Sequence, residues 1–216
     1  MSIKPALIFD LDGTLWDACV PIAEAWTIAG RKYFPSDYLV TEEMTRGLMG
    51  KTMAEIGASL SMPGMNKDEL QLFMKDCFDF EVEFLKTRPG KLFPKELETL
   101  NRLKEMGFRL FIVSNCQNGY IETFTPLALG LFEGFMCYGD TLGPKHQTIR
   151  ALMERYQIDD AIYIGDTAGD EKETRLAGLP FVFASYGFGQ AENPDLTIEE
   201  FSQYPILLDR FCKEFA

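Results

Sequence analysis

With 216 residues, 46% of them hydrophobic, the chain is long enough to bury a substantial core, as one large domain or a domain plus a smaller one. A formal charge of −12 and a pI near 4.6 exclude the basic face of a nucleic-acid binder, while a phosphorylated small molecule stays admissible if local cations or a metal offset the field. Five scattered cysteines with no CxxC pair, a single histidine and no apolar run of membrane-span length argue against disulfide, zinc, Ser-His-Asp and membrane classes, and for a cytoplasmic protein with reduced thiols.

The first apolar run, ALIF at residues 6–9, predicts a buried strand that leads straight into Asp10-Leu11-Asp12. Two carboxylates two positions apart must be paired, hydrated or bound to a metal. Residues 17–88 then show helical patterns and no convincing strand. Leu70, Phe73, Cys77, Phe80 and Phe84 recur at steps of three and four and predict one apolar helical stripe. Trp16 and Cys19 are expected to pack at one hinge of this insert, and Pro89-Gly90 within TRPGK punctuates its return. Further strands are predicted over 108–113, 134–138, 161–164 and 180–185, each followed by Ser, Asn, Gly, Asp or Tyr-Gly. Helices are predicted from Pro94 to Gly107 and from Lys145 to Tyr156. Strand and helix alternating from residue 94 onward imply an α/β fold with a parallel sheet.

Every polar cluster follows a strand: Asp10 and Asp12, Ser114-Asn115, then Gly165-Asp166 through Asp170. In open parallel sheets such positions converge on one edge, outside the carboxyl ends of the strands. Carboxylates meeting there repel one another unless a divalent cation lies between them, and so few oxygen ligands suit Mg²⁺.

In this order, DxDGT (Asp10–Thr14), Ser114-Asn115, Lys145 and GDTxxDE (Gly165–Glu171) resemble the haloacid dehalogenase-like (HAD) superfamily of phosphotransferases across almost the whole chain. The insert is similar to that superfamily's C1-type cap, most like its phosphoglycolate phosphatase-like and β-phosphoglucomutase-like branch. The resemblance implies a Rossmann-like three-layer core from residues 1–16 and 89–216, with a helical cap at 17–88. It implies Asp10 as nucleophile and Asp12 as general acid and base. Metal ligands would be Asp10, the backbone carbonyl of Asp12 and the side chain of Asp166. Asp170 would hold metal waters or Lys145, with Glu171 a weaker candidate, and Thr14 would support the loop. Ser114, amides near Asn115 and Lys145 would bind the transferring phosphoryl group. One departure is His146, which follows the lysine where many relatives have proline, and which reads as an incidental neighbour. Within the cap, Arg46 and Lys51 flank a turn containing Gly47 and Gly50 and are the expected readers of the leaving group.

The resulting expectation is Mg²⁺-dependent hydrolysis of a small phosphomonoester through an aspartyl-phosphate, with 2-phosphoglycolate and hexose or triose phosphates as leading substrates. The protein is expected to act as a monomer or homodimer, away from membranes and nucleic acid. A phosphomutase of the β-phosphoglucomutase type is the nearest alternative, and a catalytically silent phosphometabolite-binding protein is the alternative of another class. Dehalogenation is disfavoured, because those relatives lack the second aspartate of the first motif and need no metal.

Overall fold

The structure, a computed structural model, describes residues 4–51, 53–60 and 64–214. Thr52, in the predicted cap turn, lies outside the described residues, as do 1–3, 61–63 and 215–216. Strand β1 (Ala6–Phe9) is followed by the two-residue β2 (Trp16–Asp17) and by helices α1 (Cys19–Gly30), α2 (Glu42–Arg46), α3 (Met53–Leu60) and α4 (Lys67–Leu85). The chain returns through β3 (Lys91–Leu92), α5 (Glu96–Glu105), β4 (Leu110–Ser114), α6 (Ile121–Phe124), β5 (Gly134–Cys137) and α7 (Tyr138–Thr141). It ends with α8 (Lys145–Arg155), β6 (Ala161–Gly165), α9 (Ala168–Ala177), β7 (Phe181–Ala184), β8 (Leu196–Ile198) and α10 (Tyr204–Glu214).

Six strands form one parallel sheet in the order β5-β4-β1-β6-β7-β8. Strand β1 is central, with Leu7 opposite Leu110 on one side and Ile162 on the other. A strand covered on both faces must be apolar at every position, and all four residues of ALIF are buried. Alternate residues serve opposite layers. Leu7, Phe9, Ile112 and Ile164 pack with Leu100 and Leu103 of α5 and Leu208 of α10. Ile8, Phe111, Val113 and Tyr163 pack with Ile149 and Leu152 of α8. The result is the parallel α/β sheet that the alternating pattern predicts, in the three-layer form that the resemblance implies.

Some details were not legible in the sequence. Edge strand β8 is only three residues long. Trp16-Asp17 pairs antiparallel with Lys91-Leu92, so the two expected hinges form a miniature sheet instead of separate loops. Trp16 is fully buried there, and Gly90 lies so close that a Cβ would come within 2.8 Å of its ring.

Helices α1 and α4 pack against each other within the 17–88 insert. Asn66 caps α4 reciprocally with Glu69, a device that contributes about 1 kcal/mol. Its buried face carries Phe73, Met74, Cys77, Glu81 and Leu85. The stripe predicted through Phe80 and Phe84 is therefore rotated toward Glu81 and Leu85, while those two phenylalanines are only partly covered.

Candidate active site

Three loops at the carboxyl edge of the sheet bring Asp10, Ser114 and Asp166 together from β1, β4 and β6. The loop after β1 is anchored where the Asp10 N–H donates to the Ile164 carbonyl at 2.8 Å. It turns at Gly13, which has φ +81° and sits so close to Asp166 that a Cβ would lie 2.3 Å from its Oδ2. Only glycine satisfies both the left-handed backbone and that approach.

Lys145, at the start of α8, donates to Asp10 Oδ1 at 2.8 Å and to Asp170 Oδ1 at 2.6 Å, with all three side chains nearly inaccessible. The other oxygen of Asp170 accepts from the backbone N–H and hydroxyl of Thr167, closing a reciprocal cap on α9. Both Asp170 oxygens are thus occupied by the protein. Asp166 accepts from the Phe188 N–H at 2.7 Å and from the Thr14 hydroxyl at 3.4 Å.

Asp10, Asp166 and Asp170 each place a carboxylate oxygen within 4.8 Å of the others. Burial would lower the Lys145 pKa, but the charges of Asp10 and Asp170 prevail and hold it well above the ordinary lysine value. Burial raises Asp10 well above the ordinary carboxylate range despite Lys145, with Asp170 and Asp166 repelling it further. Burial and then Asp170 push Asp166 up to about 7. One ammonium does not balance three buried carboxylates, and a divalent cation on the oxygens of Asp10 and Asp166 would offset the charge that Lys145 leaves. The residues present fit such an ion.

Asp12 has a separate set of partners. Its Oδ1 accepts from the indole N–H of Trp16 at 2.9 Å and the hydroxyl of Tyr120 at 2.7 Å, and burial outweighs both bonds to raise its pKa to about 6. Trp16 and Tyr120 meet edge to face, with ring centroids 5.7 Å apart. Trp16 thus does more than pack a hinge: it holds a carboxyl group.

Asp10 and Asp12 line a cavity together with Ser114, Asn115, Gln117 and Tyr120 from the core and Gly50, Lys51, Trp26, Phe78 and Glu81 from the insert. The Asn115 side-chain amide donates to the Gly50 carbonyl at 3.1 Å, tying the two regions together across this cavity. Lys51 lines it. Arg46 does not. Its guanidinium pairs with Asp17 at 2.8 Å and Glu42 at 2.9 Å and stacks 4.4 Å over the Phe188 ring. A cation so engaged at the hinge is withdrawn from a ligand in the cavity. Glu171 is likewise spoken for, accepting from the backbone N–H groups of Glu192 and Asn193 at 2.7 and 2.8 Å. His146 pairs with Glu173 at 2.7 Å through Nδ1.

Sequence reasoning missed Trp26, Glu81, Gln117 and Tyr120. Glu81 did leave a signal, since Phe73, Cys77, Glu81 and Leu85 follow one another at steps of four.

The haloacid dehalogenase-like hydrolase family pattern matches residues 7–184. The chain belongs to that family. It is similar to the phosphoglycolate phosphatase of Aquifex aeolicus (strain VF5), at 26% identity over 97% of this chain and 99% of that protein. In fold it resembles a predicted phosphoglycolate phosphatase from Haemophilus somnus 129pt, with TM-score 0.79 and 20% identity over the whole of both chains. It also resembles CbbY from Rhodobacter sphaeroides in complex with phosphate, with TM-score 0.78 and 17% identity over 95% of this chain and 99% of that one. Among the described residues no helix is long and apolar enough to cross a membrane.

Proposed function

We propose that this hydrolase is a Mg²⁺-dependent phosphatase that cleaves small organic phosphomonoesters through an aspartyl-phosphate on Asp10. The observation that carries the reading is the Asp10 carboxylate, fixed by Lys145 at 2.8 Å beside Asp166 and Asp170 and lining a cavity between the sheet edge and the insert. The names of the curated relatives support phosphomonoester chemistry with 2-phosphoglycolate as a candidate substrate, and the family resemblance adds sugar phosphates as a second candidate.

Asp10, Asp166 and the backbone carbonyl of Asp12 would hold Mg²⁺, which when bound offsets the charge of the carboxylates and of the phosphoryl oxygens. Asp10 Oδ attacks phosphorus in line, and the ester P–O bond breaks as the new P–O bond forms. The leaving alkoxide takes its proton from Asp12, whose carboxyl is held by Trp16 and Tyr120 in a fixed orientation. Asp12, now ionised, removes a proton from water as that water attacks the phosphoryl group, releasing inorganic phosphate and regenerating Asp10. Lys145 keeps Asp10 oriented and supplies a fixed positive charge. Ser114 and the amides near Asn115 contribute donors toward the phosphoryl oxygens. Asp170 acts by positioning Lys145. The helical insert of residues 17–88 serves as the cap that limits the site to small substrates.

Chelation tests the reading. Turnover of p-nitrophenyl phosphate should vanish after exhaustive EDTA treatment and return with Mg²⁺. Full activity in the chelated protein would refute it.

A further inference from the structure

The loop after β7 closes tightly over Asp166. Cβ atoms added to Gly187 and Gly189 would lie 2.3 Å from the Asp166 Cβ and 2.7 Å from its backbone carbonyl. Between these glycines, Phe188 donates its N–H to Asp166 Oδ2 at 2.7 Å. The Thr14 hydroxyl stands farther off, 3.4 Å from Oδ1. A backbone donor orients a carboxylate only as well as its own segment is held. The flanking glycines bring no side chain to hold it, which leaves the Phe188 ring as the anchor.

That ring meets both the nucleophile loop and the insert. A Cβ on Gly13, between Asp12 and Thr14, would come within 2.9 Å of the Phe188 Cδ2. From the insert, the Arg46 guanidinium lies 4.4 Å from the ring centroid, within the range where a cation is drawn to an aromatic face. Arg46 ends α2 and is held by Asp17 of hinge strand β2 at 2.8 Å and by Glu42, one turn back, at 2.9 Å. Those two carboxylates already satisfy its charge, so the ring is a third partner, supplied by the core. A planar guanidinium fixed by its edge is preorganised to stack by its face. One side chain thus joins the hinge, the insert and the core loop that orients Asp166.

We infer that Arg46 and Phe188 are positioning residues for the cation site: Arg46, stacked on Phe188, steadies the amide that orients Asp166, so that seating of the insert and binding of the divalent cation favour each other. This deepens, and rests on, the metal-dependent reading of the same site. Two equilibria that share one contact are linked, and each strengthens the other by the same factor.

The test titrates the full chain, stripped of metal and without substrate, with Mn²⁺, a divalent cation that takes the same oxygen ligands. Its unbound fraction is counted by electron paramagnetic resonance. Arg46→Met, which keeps the stem and removes the guanidinium, should raise the Mn²⁺ Kd about fivefold, equivalent to about 1 kcal/mol. Phe188→Leu should do the same, and the double variant no more than either alone, because all three lose one contact. Phe188→Tyr keeps the aromatic face, and Glu42→Gln leaves both the stack and the Asp17 pair; each should stay within about twofold of wild type. Unaltered Mn²⁺ affinity in Arg46→Met and Phe188→Leu overturns the inference. So does a Phe188→Tyr protein as weak as Phe188→Leu, or a Glu42→Gln protein as weak as Arg46→Met, since the loss would then come from general packing at the hinge. If Arg46→Met fails to fold, the two Phe188 variants decide alone. Wild-type protein that binds no Mn²⁺ and keeps full activity in EDTA refutes the Mg²⁺-dependent reading itself and the inference with it.

Discussion

The floor and the roof of the cavity are built on opposite principles. On the core side nearly every polar atom has a partner: Lys145 joins Asp10 to Asp170, Trp16 and Tyr120 share Asp12, and Phe188 and Thr14 hold Asp166. On the insert side the surface is hydrophobic and polar groups are few, with one buried carboxyl held by a single indole. A network of charge-assisted bonds at one sheet edge is rigid and insensitive to what the leaving group carries. An apolar wall with one polar pair discriminates by shape and hydrogen-bond matching. The floor would thus set the rate for every substrate, and the roof would set which substrate is favoured.

The strongest attempt to break this division targets the nucleophile. Asp10→Asn should reduce kcat by about 10³-fold or more for all esters alike, because an amide is a poor nucleophile. Mass spectrometry of wild-type protein quenched after an activated phosphoryl donor should place the adduct on Asp10. An adduct on another residue would overturn the assignment.

Tyr120→Phe is milder. It removes one of two donors to Asp12, and a lost charge-assisted bond at a general acid should cost about tenfold in kcat. The loss should be uniform across substrates. A loss confined to one ester would move Tyr120 from the floor to the roof.

Lys51→Ala probes the roof. The expected loss is about three- to tenfold in kcat/KM for the preferred ester and smaller for p-nitrophenyl phosphate, whose leaving group offers this cation little. Equal losses would remove Lys51 from leaving-group recognition.

The smallest effect compares two buried carboxyls, one in each region. Burial raises Glu81 in the insert and Glu96 in the core to about 8, and Glu96 Oε1 has no hydrogen-bond partner. Each folded-state pKa lies above the ordinary glutamate value of 4.5. Below that value both states are protonated and the stability is fully present. As pH rises toward 8 the unfolded chain releases its proton while the folded one retains it, so stability falls and then levels off. Glu96→Gln abolishes this slope. Its Tm should therefore gain on the wild type between about pH 5 and 8, by the equivalent of about 1–3 kcal/mol, with catalytic selectivity unaltered. A parallel pair of Tm curves would show that Glu96 is ionised when folded. Glu81→Gln should show a similar stability trend.

The chain's own residues announced much of the core. Short apolar runs ending in Asp, Ser or Gly mark buried strands and their polar edge, because a residue at the end of a central strand leaves the packed layers and meets the cavity. Asp10, Ser114 and Asp166 were legible for that reason, and Lys145 by its place between the later motifs. The roof was decided in three dimensions. Successive residues on a helix point about 100° apart, so whether α4 turns Phe80 or Glu81 inward depends on what α1 offers it. Trp26 on α1 supplies an indole N–H that only a polar group satisfies, and Glu81 takes the inward position. Arg46 was read as a partner for the leaving group, but its guanidinium pairs with Asp17 on the hinge strand. Backbone pattern and burial specify a strand's end locally, whereas a helix's rotation and a long side chain's partner are set by neighbours distant in sequence.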